Sequence, residues 1–144
     1  MPRPKLEVSV NCAQNADGLS SAVVTKAISA VLKGENSGNA EFSVAFLSAQ
    51  RMRALNRRLF GHDRATDVIA FGLPHPDVVV GDIYICPSVS RRSAVELRVS
   101  EDEELLRLVI HGALHSLGYD HPSGKGRYAS EMWKLQEAYL SQVV

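Results

Sequence analysis

The sequence has no excess of charge of either sign, because 16 Lys and Arg residues balance 16 Asp and Glu residues among its 144. This balance excludes a globally charged surface for a nucleic acid, so any such surface has to be a local patch. The chain also lacks an apolar run long enough to span a bilayer, and its N-terminal segment lacks the apolar centre of a secretory signal. We therefore expect a cytoplasmic protein that has no membrane partner.

Cysteine is scarce too. Cys12 and Cys86 are the only two, and no CxxC pair is present. We expect two small buried thiols and neither a disulfide nor a cysteine metal site. With 45% hydrophobic and 22% charged residues, the composition is that of an ordinary soluble globular protein. The length fits a single domain over 1–144.

Hydrophobic periodicity predicts an α/β (α+β) fold, with a mixed sheet of about four strands packed with about five helices. Strands are predicted at LEVSVNC (6–12), AEFSVAFLS (40–48), TDVIAFGL (66–73) and GDIYIC (81–86), with PHPDVVV (74–80) as a loop. Helices are predicted around Val23 to Val31, from Ser48 to Gly61, from Pro87 to Leu97, from a Ser100–Glu103 capping box to about Gly118, and from about Arg127 to Leu140.

The fourth predicted helix, EELLRLVIHGALHSL (103–117), is apolar on nearly all faces, which is typical of a buried central helix. His111 and His115 lie four residues apart and therefore on one face of it. Gly118 allows the chain to turn back in a left-handed conformation, which places His121 near that pair. A lone core histidine is usually structural, but three at this spacing predict a metal site. Three histidine ligands leave a fourth position for water, the arrangement of a catalytic zinc ion.

The spacing HxxxHxxGxxH is also that of the metzincin peptidases, in which glutamate follows the first histidine and acts as the general base. In this chain Gly112 occupies that position, and glycine transfers no proton. The sequence therefore argues against a peptidase, although one that takes its base from elsewhere stays open.

A phosphodiester substrate would need cations to hold its phosphates. The stretch RMRALNRRLFGHDR (51–64) supplies Arg51, Arg53, Arg57, Arg58 and Arg64. A solvated helix face is the more common explanation of such a cluster, and the cluster alone does not establish a binding site.

Together these motifs resemble the YbeY family of endoribonucleases. HGALHSLGYDH (111–121) matches the family's HGxLHxxGYDH signature, and TDVIAFGLP, GDIYIC and EMWKLQE resemble further family segments, so that about 40–137 are covered. The resemblance implies a compact α/β fold with one zinc ion in a cleft, held by His111, His115 and His121. It also implies cleavage of single-stranded RNA in late 3′-end maturation of small-subunit rRNA and in ribosome quality control. The partners would be the rRNA precursor and the small ribosomal subunit.

One position departs from the family pattern. The family carries an arginine that is regarded as functional ahead of the TDV stretch, and this chain has Phe60 there. Phenylalanine cannot neutralise a phosphate, so our hypothesis is that Arg58, Arg64 or His62 supplies the charge.

Three functions are therefore compared: a zinc-dependent endoribonuclease, a metallopeptidase, and a non-catalytic, zinc-stabilised RNA- or ribosome-binding module. Asp82 and Asp120 could orient a histidine ligand as carboxylate acceptors. Each could equally be a turn residue, and neither is predicted to be catalytic.

Overall fold

The computed structural model describes residues 4–12, 17–121 and 124–144, without the side chains of 124 and 125. The described elements are β1 (Leu6–Cys12), α1 (Ser21–Gly34), β2 (Ala40–Phe46), α2 (Ala49–Phe60), β3 (Val68–Leu73), β4 (Val79–Ile85), α3 (Pro87–Leu97), α4 (Glu101–Ser116), a 3-10 helix (Gly124–Ala129) and α5 (Glu131–Val143). The predicted α/β fold, with four strands and five α-helices among these residues, is confirmed.

The four strands form one mixed sheet in the order β1-β2-β4-β3. β1 pairs with β2 and β2 with β4 in parallel, whereas β3 and β4 are antiparallel. Parallel neighbours need a crossover connection, and α1 provides it between β1 and β2. The main core lies where this sheet meets α1, α4 and α5.

Helix α4 is the central buried element, as its sequence predicts. It contacts β3, β4, α1, α3 and α5. Its buried residues are Glu104, Leu105, Leu106, Arg107, Leu108, Val109, Ile110, Gly112, Ala113 and Leu114. Ser100 caps its N-terminus by accepting a hydrogen bond from the Glu103 N–H at 3.1 Å, and four acidic residues in the first turn complement the helix dipole.

Close approaches at three glycines set the position of α4 on the sheet. A Cβ atom built on Gly112 would come within 2.8–2.9 Å of three side-chain carbons of Ile83, a fully buried residue of β4. A Cβ on Gly72 would meet the Ser116 carbonyl oxygen at 2.7 Å, and one on Gly81 would meet the Ser116 hydroxyl at 2.6 Å. Gly72 and Gly81 are paired across β3 and β4. Glycine at these positions lets the helix end that bears the histidines lie directly on the strands.

Three details differ from the sequence predictions. β4 begins at Val79, so part of the predicted PHPDVVV loop is strand. The helix predicted from about Arg127 begins at Glu131 as α5, after the 3-10 helix (Gly124–Ala129). Cys12 is exposed, and only Cys86 is the buried thiol that we expected.

The described residues also bear on the membrane prediction. No α-helix among them is both long and apolar enough to cross a bilayer.

Candidate metal centre and cleft

Three histidines converge at the C-terminal end of α4. His111 and His115 project from the helix, and His121 returns to them after the turn that follows. One potential ligand atom from each residue lies within 4.8 Å of those of the other two. The ring centroids of His111 lie 5.0 Å from those of His115 and of His121, and the His115 and His121 centroids are 5.5 Å apart. The cluster could therefore hold one metal ion.

The turn that brings His121 back depends on Gly118. Its φ of +100° lies in the left-handed region, which other residues rarely adopt. The Gly118 N–H donates to the His115 carbonyl at 3.0 Å and the Tyr119 N–H to the Leu114 carbonyl at 3.1 Å. The carboxylate of Asp120 accepts from the His121 N–H at 2.8 Å, so Asp120 shapes the turn.

A half-buried carboxylate anchors the same turn. Glu35, which follows α1, accepts hydrogen bonds from the hydroxyls of Tyr119 and Tyr139. Burial, together with the bond to Glu35, raises the pKa of Tyr139 to about 12, so that its hydroxyl stays protonated as a donor at neutral pH. The turn is thus tied to both α1 and α5.

Gln136 of α5 orients the first histidine. His111 Nδ1 lies 2.8 Å from Gln136 Oε1. The Gln136 amide nitrogen donates to Glu137 at 3.2 Å, so the oxygen is the atom that faces His111. A carbonyl oxygen only accepts, and Nδ1 therefore carries the proton. His111 Nε2 keeps its lone pair and is available to a metal ion.

Burial keeps the rings of His111 and His115 neutral. It lowers the pKa of His111 to about 4, although the hydrogen bond to Gln136 acts in the opposite direction. Burial also lowers the pKa of His115, and the nearby His121 adds to the effect. Neutral imidazole is the form that binds metals, so these two candidate ligands need no deprotonation at pH 7.

These shifts predict that the metal-free protein loses stability in mild acid. The folded pKa of His111, about 4, lies below its ordinary value of 6.5, so the unfolded chain binds more protons between these values. The free energy of unfolding should be unaffected by this group above pH 6.5 and should fall by on the order of 3 kcal/mol as the pH drops to 4. Urea denaturation of the apoprotein at several pH values measures this. A His111→Gln variant should show a shallower pH dependence, and an equal one would contradict the prediction.

The histidines line a cleft of about 420 Å³. Its other lining residues are Asn56, Phe60, His62, Arg64, Thr66, Asp67, Val68, Ile69, Ala70, Ser93, Glu96, Leu97, Glu104, Arg107, Leu108, Arg127, Tyr128, Ser130, Met132, Trp133 and Gln136. The residues that precede β3, the 3-10 helix and α5 thus line the same cleft as the three histidines.

Two of the three predicted phosphate-binding candidates line the cleft, and the third does not. His62 and Arg64 line the cleft. Arg58 is exposed on α2 and is not among the lining residues. Asp82 lies in β4, paired with Ser43 and Phe71, and does not line the cleft either.

The structure adds residues that the sequence analysis did not single out. Arg127 lines the cleft from the 3-10 helix, six positions after His121, where no local pattern marks it. Gln136 is buried and reaches His111 from another helix. The carboxyl of Asp67 also lines the cleft, and burial raises its pKa, although the Val68 N–H and Arg127 partly offset that effect.

Arg107 is a cation whose charge is already neutralised. Its guanidinium binds Glu137 through two nitrogens, each at 2.9 Å, and Glu104 at 2.7 Å. Its side chain is only 8% exposed. Burial by itself lowers the pKa of Arg107, but the bonds to Glu137 and Glu104 raise it by more. The pKa is therefore raised overall, and the guanidinium stays charged. By contrast, Arg64 and Arg127 form no ion pair with a described carboxylate.

The fold combines a mixed sheet with a buried helix, and this helix places clustered histidines in a cleft. These features define an α/β protein with a candidate catalytic metal site. Comparison with known proteins then gives the particular family. The model of the family described as Endoribonuclease YbeY matches residues 9–144, and the chain belongs to this family.

Individual relatives support the assignment. The endoribonuclease YbeY of Thermotoga maritima is 38% identical over 106 residues, 74% of this chain and 69% of that protein. That of Chloroherpeton thalassium is 34% identical over 118 residues, 82% of each chain. The solution structure of a Thermotoga maritima protein superposes with a TM-score of 0.64 at 30% identity, covering 94% of this chain and 88% of that one.

Proposed function

We propose that this protein is a zinc-dependent endoribonuclease that cuts single-stranded RNA. The observation that carries the proposal is the cluster of His111, His115 and His121 in a cleft that also contains Arg64 and Arg127, neither of which forms an ion pair with a described carboxylate. Membership of an endoribonuclease family supports RNA as the substrate. We further propose a cytoplasmic role in late 3′-end maturation of small-subunit rRNA and in ribosome quality control, with the rRNA precursor and the small subunit as partners.

The donor set suits zinc. Three imidazole nitrogens leave one coordination position open, and Gln136 already holds the first ring in the tautomer that frees Nε2. When bound, the ion would supply Lewis-acid activation of water and polarisation of a phosphoryl oxygen. The protein's own part is to hold the three rings in place, through Gly118, Glu35 and Gln136.

Phosphate binding falls to cations that line the same cleft as the histidines. Arg64 and His62 approach from the segment before β3, and Arg127 approaches from the 3-10 helix. Arg127 is the better placed of the two arginines, because its charge acts on both His111 and Asp67. Its guanidinium is held by the Tyr128 hydroxyl at 2.9 Å and lies 4.9 Å from that ring's centroid. A fixed guanidinium suits the geometry of a phosphate.

The test of this function is cleavage of one end-labelled RNA in two forms, single-stranded and annealed to its complement. Zinc-loaded protein should cut the single strand, and a chelator should stop the reaction. Cleavage of the duplex should be slower by about tenfold or more, because its bases are paired and stacked. Equal cleavage of both forms would contradict single-strand specificity, whereas cleavage of neither by zinc-loaded protein would favour a binding module.

Replacing Arg127 with glutamine should weaken RNA binding through charge alone. Loss of one phosphate contact to a single strand is expected to lower the slope of log K against log salt by about 0.7. Binding of a short labelled RNA at several salt concentrations measures this slope. Arg58→Gln is the matched control, since it removes the same charge outside the cleft. A smaller change for Arg127→Gln than for Arg58→Gln would count against the assignment.

The peptidase alternative loses support from the structure. Any side chain at position 112 would point at Ile83. Even its first atom, a Cβ built on Gly112, would lie only 2.8 Å from the Ile83 Cγ2 atom. A glutamate there could not reach a substrate in the cleft. The position at which a metzincin carries its base is therefore occupied by the contact between α4 and the sheet.

A further inference from the structure

Phe60 presents an aromatic ring to solvent inside the cleft. It ends α2, it is 51% exposed, and it lines the same cleft as the three histidines. Its ring is stacked at 23° to that of Phe71, with the centroids 6.2 Å apart. The ring therefore has a neighbour that fixes its orientation, and about half of its surface is open.

The cleft holds more aromatic side chains than the composition would suggest. The whole chain has four Phe, four Tyr and one Trp, and Phe60, Tyr128 and Trp133 all line this one cleft. Two of them are occupied by other contacts. Tyr128 and Trp133 meet edge to face at 4.8 Å, the Arg127 guanidinium covers Tyr128, and that of Arg107 lies 5.9 Å from the Trp133 centroid. Phe60 is the most exposed of the three at 51%, whereas Tyr128 is 45% exposed and has the Arg127 guanidinium over its ring.

We infer that Phe60 is a nucleobase-binding residue, on which an unpaired base of single-stranded RNA stacks. The inference rests on the proposed function and deepens it by naming the subsite. Every base has a π-face, so the contact tolerates any sequence, and bases stack on aromatic side chains in many single-strand-binding proteins. Arg64 and Arg127 in the same cleft would hold the neighbouring phosphates. A base held in a duplex cannot turn out onto the ring without unpairing, so this subsite selects single strands.

Leu59 shows what an exposed apolar residue without this role looks like. It precedes Phe60 on α2 and is 43% exposed, but it does not line the cleft. Single exposed apolar residues are ordinary on protein surfaces and carry no function by themselves. Leu59 is therefore the matched control, because truncating it removes exposed apolar surface outside the cleft.

The experiment is single-turnover cleavage of a labelled single-stranded RNA by zinc-loaded full-length protein, over a range of enzyme concentrations. Phe60→Ala should raise the half-saturating concentration by about 5- to 150-fold, the loss of one base–aromatic stack. The maximal rate should change little, and the salt dependence should stay the same because no charge is removed. Phe60→Trp should retain wild-type affinity, and Leu59→Ala should behave as wild type.

The outcomes separate this inference from the proposed function. If the wild type does not cut RNA, the proposed function fails and the inference with it. If the wild type cuts and Phe60→Ala has the same half-saturating concentration, the inference alone is overturned. Loss of affinity in Phe60→Trp equal to that in Phe60→Ala would also overturn it, since a larger ring should stack at least as well. Melting temperature and zinc content of each variant confirm that fold and metal site are intact.

Discussion

Replacing Gly112 with glutamate is expected to leave little or no folded protein. The new Cβ would lie 2.8–2.9 Å from Cγ1, Cγ2 and Cδ1 of Ile83, which is itself fully buried. Overpacking of this kind costs about 1–3 kcal/mol, and a buried unpaired carboxylate adds several more. The sum approaches the whole stability of a typical domain, about 5–15 kcal/mol.

Gly38→Glu is the control for this variant. Gly38 is exposed, and a Cβ built on it meets nothing within 4 Å, so the same substitution there should change the melting temperature little. Gly112→Ala should lie between the two, since better helix propensity recovers about 1 kcal/mol of the overpacking cost. Circular dichroism and thermal unfolding measure all three. A folded Gly112→Glu protein, especially one with peptidase activity, would show that position 112 is not closed by the sheet.

Replacing Arg107 with methionine is expected to destabilise the protein by about 3–5 kcal/mol at pH 7, the usual effect of removing one partner of a buried ion pair. The side chain of Glu104 is only 3% exposed. In the variant it would stay buried but have lost the guanidinium that neutralises its charge. Burial already raises the pKa of Glu104, and the bond to Arg107 holds it down. Without Arg107 the carboxyl should protonate at higher pH, so the loss of stability should shrink as the pH falls.

Two further variants test that explanation by urea denaturation. Arg107→Met combined with Glu104→Gln should recover a substantial part of the loss, because no unpaired charge then remains at Glu104. Arg53→Met removes an equally well-formed bond to Asp63, with side chains 59% and 51% exposed, and should cost far less, because water screens an exposed ion pair. A double variant no more stable than Arg107→Met alone would rule out the stranded charge as the cause.

The order and type of most elements could be predicted because local chemistry determines them. Serines mark helix starts, as at Ser48 and Ser100, where each side chain accepts from the backbone N–H three residues on. Gly61 ends α2 with a φ of +72°, as its position after the apolar pattern predicts. The start of β4 was missed because Val79 and Val80 follow a turn rich in proline and are placed by pairing with β2, a non-local contact.

The histidine cluster could be predicted from spacing, since helix geometry fixes the separation of His111 and His115. The residues around it could not. Gln136 lies 25 residues from His111, and its role depends on how α5 packs against α4. Arg127 reaches the cleft from a short 3-10 helix, and only the fold shows that it lines the cleft while Arg58 does not. The sequence likewise shows that Gly112 stands where a metzincin carries its general base. Only the structure shows why glycine is needed there, which is the close packing of α4 on the sheet.

The most direct measurement is the rate at which zinc-loaded protein cuts an end-labelled single-stranded RNA, beside a His115→Ala variant prepared in the same way. Wild type should cut, and the variant should cut at least about a hundredfold more slowly, since even residues that only orient a ligand cost 10- to 100-fold. Its fold should be retained, because His115 is only half-buried and lies in the last turn of α4. Equal cleavage by the two proteins, or no cleavage by a wild type with zinc bound, would contradict a metal-dependent ribonuclease built on these histidines.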